Sequence, residues 1–165
     1  MRDRALFDLA IDSTLRGCDL AKIRIGDLMS AGSFRDRATV IQQKTGRPVQ
    51  FDIMSEARTS LKAWLDRRGG MIHDFVFPSR IDYPGHLSTR QYARIVDEWE
   101  SMIGLDRRDY GTHSMRRTKA ALIYKATANL RAVQILLGHT HIENTVRYLG
   151  ADVDDALTLS ERTEI

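Results

Sequence analysis

Cysteine is nearly missing from this sequence: Cys18 is the single one in 165 residues. That excludes an internal disulfide and any multi-cysteine zinc site, and it makes a reducing, cytoplasmic setting the expectation. Prolines number 3 and glycines 11, and no stretch is low in complexity. No apolar run is long enough to cross a bilayer. Met1-Arg2-Asp3-Arg4 leads into an amphipathic helix and not into the apolar core of a signal peptide. Neither sign of charge dominates, since 25 basic residues against 22 acidic ones leave a net charge of +3. Taken alone, that is weak support for a nucleic-acid partner. The basic set is mostly arginine, the planar fork that suits phosphate, although ordinary surfaces can be arginine-rich too. With 42% hydrophobic residues the chain can bury the core of one domain.

Apolar residues recur at helical spacing from Arg2 to about Ser13, with Leu6, Leu9 and Ala10 on one face. Gly17 is expected to give the backbone freedom for a tight turn, and a short helix from Cys18 to Ile23 should follow with Cys18 buried. Ala31-Gly32-Ser33 reads as a turn. Ala38–Gln42 and Pro48–Ile53 read as paired strands, closed by Lys44-Thr45-Gly46-Arg47 with glycine where positive φ is needed. Everything beyond reads as helix: one capped by Ser55 and running to about Arg68, and one from Ser88 or Thr89 to about Ile103. A third starts at Thr112 or His113, with Met115, Leu122, Ile123 and Ala126 on one face. A fourth spans Leu130 to Leu137 and stops at Gly138, and a short one carries Thr145 to Leu149. The fold class is therefore α+β, mostly helical, with a small antiparallel sheet in the N-terminal third.

Three stretches carry the chemistry. They are Ser13-Thr14-Leu15-Arg16-Gly17-Cys18-Asp19, then His113-Ser114-Met115-Arg116, then Leu136-Leu137-Gly138-His139-Thr140 with Tyr148 nine positions after His139. In order and spacing they resemble the three signature boxes of the tyrosine recombinase (phage integrase) family. The resemblance covers roughly residues 5 to 150. It matches Arg16 and Asp19 to the first box, His113 and Arg116 to the second, and His139 and the nucleophile Tyr148 to the third. It also implies a catalytic lysine on the hairpin between the first two boxes, where Lys44 stands. Each piece is weak alone; their order is what carries weight.

The residue types make chemical sense. A phosphodiester attacked by an oxygen passes through a pentacoordinate state whose charge two arginine forks, Arg16 and Arg116, can hold. A neutral phenol, with a pKa near 10, needs a proton acceptor, for which His113 is the candidate. The departing 5′-oxygen must be protonated, a role the resemblance gives to Lys44, while His139 would donate to a phosphate oxygen. Asp19 reads as a supporting residue that orients a basic neighbour. Arg117 lies at i+4 from His113 and competes with Arg116 on periodicity alone. Arg117 and Lys119, with the pairs Arg67-Arg68 and Arg107-Arg108, are candidates for a DNA phosphate track; solvated helix faces explain them nearly as well. His73, His86 and His141 have no partner spacing that supports a catalytic role. Energy conserved in a 3′-phosphotyrosine ester implies resealing without ATP, metal or other cofactor, and there is no Walker-type loop or tight carboxylate cluster.

Family members commonly carry an upstream helical domain that clamps the opposite face of DNA. This sequence opens almost at the catalytic domain's first helix, so the expectation is a single catalytic domain over 1–165 with the upstream core-binding domain absent. Implied partners are double-stranded DNA and further protomers, a tetramer on DNA and a monomer when alone, with no membrane. Val153, Ala156, Leu157 and Leu159 would pack as a short helix, on this domain or on a neighbouring protomer. Two other readings compete. One is a type IB topoisomerase that relaxes DNA. The other is a non-catalytic helix-turn-helix-like regulator, for which Arg16 and Tyr148 need not meet in space.

Overall fold

The computed structural model describes residues 1–106, 108 and 110–149. The apolar stripe of the first segment becomes α1 (Arg2–Ser13), which packs between α4 (Ser55–Arg68) and α6 (Thr112–Thr127). Leu6 and Leu9 of α1 are fully buried with Leu20, Leu28, Leu61, Phe77, Tyr92 and Ile95, forming the main core. Burial of each such side chain stabilises the fold by roughly 1.5–3 kcal/mol. A second, smaller cluster gathers Ala120, Val133 and Leu137, with Ile123, Tyr124, Tyr148 and Leu149 against it. It is built by α6, α7 (Leu130–Leu137) and α8 (Ile142–Leu149).

The chain turns after α1 through Thr14, which takes the left-handed conformation at φ 49°. Arg16 follows in extended backbone and caps α2 (Gly17–Ala21), then α3 (Ile25–Leu28). Gly17 proves to have another purpose than the one expected. Its φ is not positive; what a side chain would meet there is the Tyr92 ring, 3.1 Å from a Cβ, a contact tight enough that the ring would have to shift. Cys18 is only half-buried, at the edge of α2.

The expected strand pair is β3 (Arg37–Ile41) with β4 (Pro48–Asp52), antiparallel with Val40 opposite Val49. Gly46 takes φ 65° at its tip, as the turn chemistry required. A further small pair precedes it, β1 (Met29–Ser30) with β2 (Ser33–Phe34), around the turn read at Ala31-Gly32. Two-residue strands carry too little pattern to be read in advance.

Helix ends agree to within a residue or two, with differences at caps and on one face. Met54, not Ser55, is the N-cap of α4, and Gly111 precedes α6 with Ser114 Oγ accepting its amide. Ser88 does cap α5 (Thr89–Met102), its hydroxyl accepting the Gln91 amide at 3.1 Å. On α6 the buried line runs through Arg116 and Ala120, while Leu122 is 62% exposed and Ala126 is exposed, so the expected apolar face is rotated. Residues 69–88 are not helical. They form a loop held by backbone bonds such as Val76 N to Ile23 O, and by Trp64 Nε1 donating to Val76 O at 2.8 Å. The tail residues Val153, Ala156, Leu157 and Leu159 lie outside the described residues, as does Arg107. No helix among the described residues is long and apolar enough to cross a membrane.

Candidate active site at the seam of two clusters

Arg116 stitches the two clusters together. Its side chain, on the first turns of α6, is only 2% exposed. Nη1 donates to Thr14 O at 2.7 Å, and Nη2 donates to Leu137 O at the end of α7. Burial pushes the guanidinium pKa down, and Arg16 adds like charge, while Tyr148 and Asp19 pull the other way. An arginine starts so high that it stays charged. The site therefore holds a desolvated cation that donates to two neutral carbonyls and also meets the Tyr148 hydroxyl.

Arg16, Lys44, His113, Arg116, His139 and Tyr148 all line one open pocket of about 390 Å³, together with Thr45, Gly138, Thr140 and Asn144. A larger groove of about 470 Å³, at the start of α1 between Arg2, Trp64, Arg67 and Arg80, holds none of the six. The regulator reading allowed Arg16 and Tyr148 to be apart; they face the same space. Arg16 reaches Gln42 Oε1 with Nη1 at 2.5 Å. Lys44 is exposed at the hairpin tip, and His113 is exposed in the first turn of α6, where free amides and the helix dipole favour an anion.

Gly138 ends α7 in the left-handed region at φ 61°. A Cβ on it would lie 2.6 Å from Val49 and 2.9 Å from Gln42, so both conformation and space require glycine. This turn presents His139 to the pocket. Its Nδ1 is 3.0 Å from Thr145 Oγ1, and its ring meets the Tyr148 ring edge-on at 5.5 Å. Burial first, then the charges of Arg116 and Arg16, push its pKa from 6.5 down to about 4. His139 is thus neutral at pH 7.

A stability profile follows from that shift. Because the folded value is depressed, the unfolded chain takes up the proton first as pH falls. The contribution is complete above about pH 6.5 and is eroded from there down to about 4. Melting temperature measured over that window should fall less steeply for His139→Gln than for the parent. Parallel curves would assign the acid sensitivity elsewhere.

Tyr148 donates its Oη–H to the backbone carbonyl of His113 at 3.2 Å, not to the imidazole. Burial raises its pKa above the ordinary phenol value, partly opposed by Arg116 and Arg117. Arg117 is exposed, with its guanidinium 5.8 Å from the Tyr148 ring centroid, while Arg116 is the one tied into the site. Asp19, expected to orient a basic neighbour, and Lys119, a candidate for the DNA phosphate track, sit differently from those expectations. Asp19 is buried and accepts the Gln43 amide at 2.9 Å, so its hydrogen bond goes to the backbone of the hairpin and not to a basic side chain. Lys119 lies away from the pocket and pairs with Asp12 at 3.0 Å, a strut between α6 and α1.

Three uncharged residues were missed. Gln42 is fully buried beneath Gly138, and Thr145 holds His139. Gln134 donates through Nε2 to the carbonyls of His139 and Thr140, at 3.1 and 3.3 Å, which fixes that turn. For Gln42 a signal existed: it shares the two-residue period of Ala38 and Val40, so its side chain had to point inward. Among the described residues, no group of three or more His, Cys, Asp or Glu side chains is arranged to hold a metal ion.

Residues 1–154 match the model of the group described as "Phage integrase family". The chain is 31% identical over 153 residues to tyrosine recombinase XerC of Chromobacterium violaceum, covering 92% of this chain and 48% of that protein. With XerC of Pelobacter propionicus it shares 29% over 164 residues, 98% of this chain and 52% of the relative. The chain spans about half the length of the curated relatives it matches. Its fold matches a crystal structure of XerA recombinase with a TM-score of 0.79 at 18% identity, covering 99% of this chain and 60% of that one. It also matches XerH site-specific recombinase bound to difH substrate, with a TM-score of 0.77 at 20% identity and coverage of 96% and 46%. The matched span takes in both the pocket and the elements that build it, so the chain belongs to the phage integrase family, the tyrosine recombinases.

Proposed function

We propose that this chain is the catalytic domain of a site-specific DNA recombinase, cleaving and rejoining strands through a 3′-phosphotyrosine bond. The observation that carries the reading is the convergence of two arginines, two histidines, a lysine and a tyrosine on one open pocket. Tyr148 Oη attacks the phosphorus while the P–O5′ bond breaks. Arg16 and Arg116 hold the non-bridging oxygens as charge builds on them. His113 accepts the phenol proton, once the hydroxyl has left the His113 carbonyl. Neutral His139, with Thr145 donating to Nδ1, offers Nε2–H to a phosphate oxygen. Lys44 gives a proton to the departing 5′-oxygen. The ester conserves the energy of the broken bond, so a free 5′-hydroxyl reverses the step without nucleotide or metal. Double-stranded DNA is the substrate, further protomers complete a synapse, and the work is done in the cytoplasm.

The test is covalent capture. Duplexes of randomised sequence, nicked just 3′ of each candidate phosphate so that the short 5′-hydroxyl product diffuses away, are incubated with the protein in excess EDTA. We expect a detergent-resistant protein–DNA adduct whose 5′-hydroxyl end is free and whose peptide map carries DNA on Tyr148. DNA binding without any adduct, across the full library, would remove the catalytic reading.

A further inference from the structure

Gln42 stands just after β3, is 0% exposed, and has no charge with which to act on a phosphate. Its side chain nevertheless touches all three parts of the pocket. Oε1 accepts two donors, Arg16 Nη1 at 2.5 Å and Thr45 Oγ1 at 3.0 Å. Nε2 donates to Leu137 O at 3.3 Å, the carbonyl that Arg116 also holds. Its backbone closes the hairpin: the Gly46 amide donates to Gln42 O at 2.8 Å, and Gln42 N donates to Arg47 O at 2.9 Å. Just before Lys44, the Gln43 amide donates to Asp19 Oδ1, and just after it the Thr45 hydroxyl is held by Gln42 Oε1. Lys44 is therefore flanked by two fixed residues, although its own side chain is exposed.

We infer that Gln42 is the positioning residue that sets Lys44 against Arg16, so that proton donation to the leaving oxygen and charge stabilisation at the phosphate are aligned as one unit. This rests on the reading of Lys44 as the general acid. Only a primary amide fits the position. It must accept two donors and donate at its other end, and a buried polar atom left unpaired is costly. Glutamate would accept from Arg16 but would oppose the Leu137 carbonyl and draw the guanidinium away from the phosphate. Leucine, of similar volume, makes none of these bonds.

The experiment compares two DNA substrates. In one the scissile phosphate is ordinary; in the other the bridging 5′-oxygen is sulfur. As the P–O5′ bond breaks, the oxygen takes a proton from Lys44 Nζ, whereas a thiolate, with a conjugate acid near pKa 8.5, departs without one. Gln42→Leu and Lys44→Ala should both cleave the ordinary substrate about 10²-fold more slowly than the parent, the range of general-acid catalysis. Both should recover about tenfold or more on the sulfur substrate. Hydrogen exchange in Gln42→Leu should quicken at residues 43–46 and stay unchanged in α1 and α6. If Lys44→Ala recovers and Gln42→Leu does not, Gln42 does not act through Lys44 and the inference falls. If Lys44→Ala itself fails to recover, the general-acid reading falls first and takes this one with it. Should Gln42→Leu exchange rapidly throughout, Gln42→Glu, which keeps shape and length, is judged by the same two rate ratios.

Discussion

Tyr148→Phe should bind DNA within about twofold of the parent and form no covalent adduct, a loss of about 10⁴-fold or more in cleavage. The substitution removes one oxygen. What it breaks in the folded protein is the bond to the His113 carbonyl at 3.2 Å, worth about 1 kcal/mol, and the hydroxyl's polar contact with Arg116. The edge-on contact with His139 and the packing against the Ala120–Val133–Leu137 cluster belong to the ring and remain. Stability and catalysis are therefore separable at this residue, which makes the comparison clean. Gel retardation and denaturing gels on one nicked substrate give both quantities. An adduct that survives in Tyr148→Phe would place the nucleophile elsewhere.

Arg116→Ala should be severe in both stability and activity. The side chain is buried and supplies donors to Thr14 O and Leu137 O. Its removal takes a donor from Thr14 O, leaves Leu137 O with Gln42 Nε2, and opens a cavity where the two clusters meet, a loss of about 3–5 kcal/mol. Against a typical domain stability of about 5–15 kcal/mol, that brings the protein near unfolding at 37 °C. Arg116→Lys isolates the chemistry. An ammonium keeps the charge but cannot span both carbonyls and still present a planar fork, so about half the destabilisation should return with little of the activity. Denaturant midpoints and single-turnover cleavage check the pair. If Arg116→Ala moved the midpoint by less than about 0.5 kcal/mol, the guanidinium would not be a strut.

The residues that line the pocket were legible in the sequence because their types, order and spacing resemble the family's signature boxes. Arg16, His113, Arg116, His139 and Tyr148 needed only order and a pair of helix ends to be brought together. The residues that hold them in place were less legible. Gln42, Gln134 and Thr145 act through hydrogen bonds to partners distant in the chain or across a turn, and no composition marks such bonds in advance. Asp19 was read as orienting a basic neighbour, but the group it accepts from is a backbone amide 24 residues away. Gly17 shows the same limit in another form, since its reason is Tyr92, on a helix far along the chain. Helices and the β3–β4 hairpin could be read from their periods. The loop over 69–88 has no period to read, and tertiary bonds such as Trp64 to Val76 decide its course.

The bonds from Arg116 to Thr14 and from Gln42 to Leu137 join positions 102 and 95 residues apart. Contacts of such long sequence separation close late in folding, since the loop entropy must be overcome before they form. During synthesis, α1, the hairpin and α4 can pack while Leu137 is still inside the ribosome. Until α7 has emerged and its last carbonyl has met Arg116, the pocket is not assembled. Tyr148 comes later still. On the proposed reading, a partly made polypeptide could not cleave DNA, because its nucleophile is the last of the pocket residues to be synthesised.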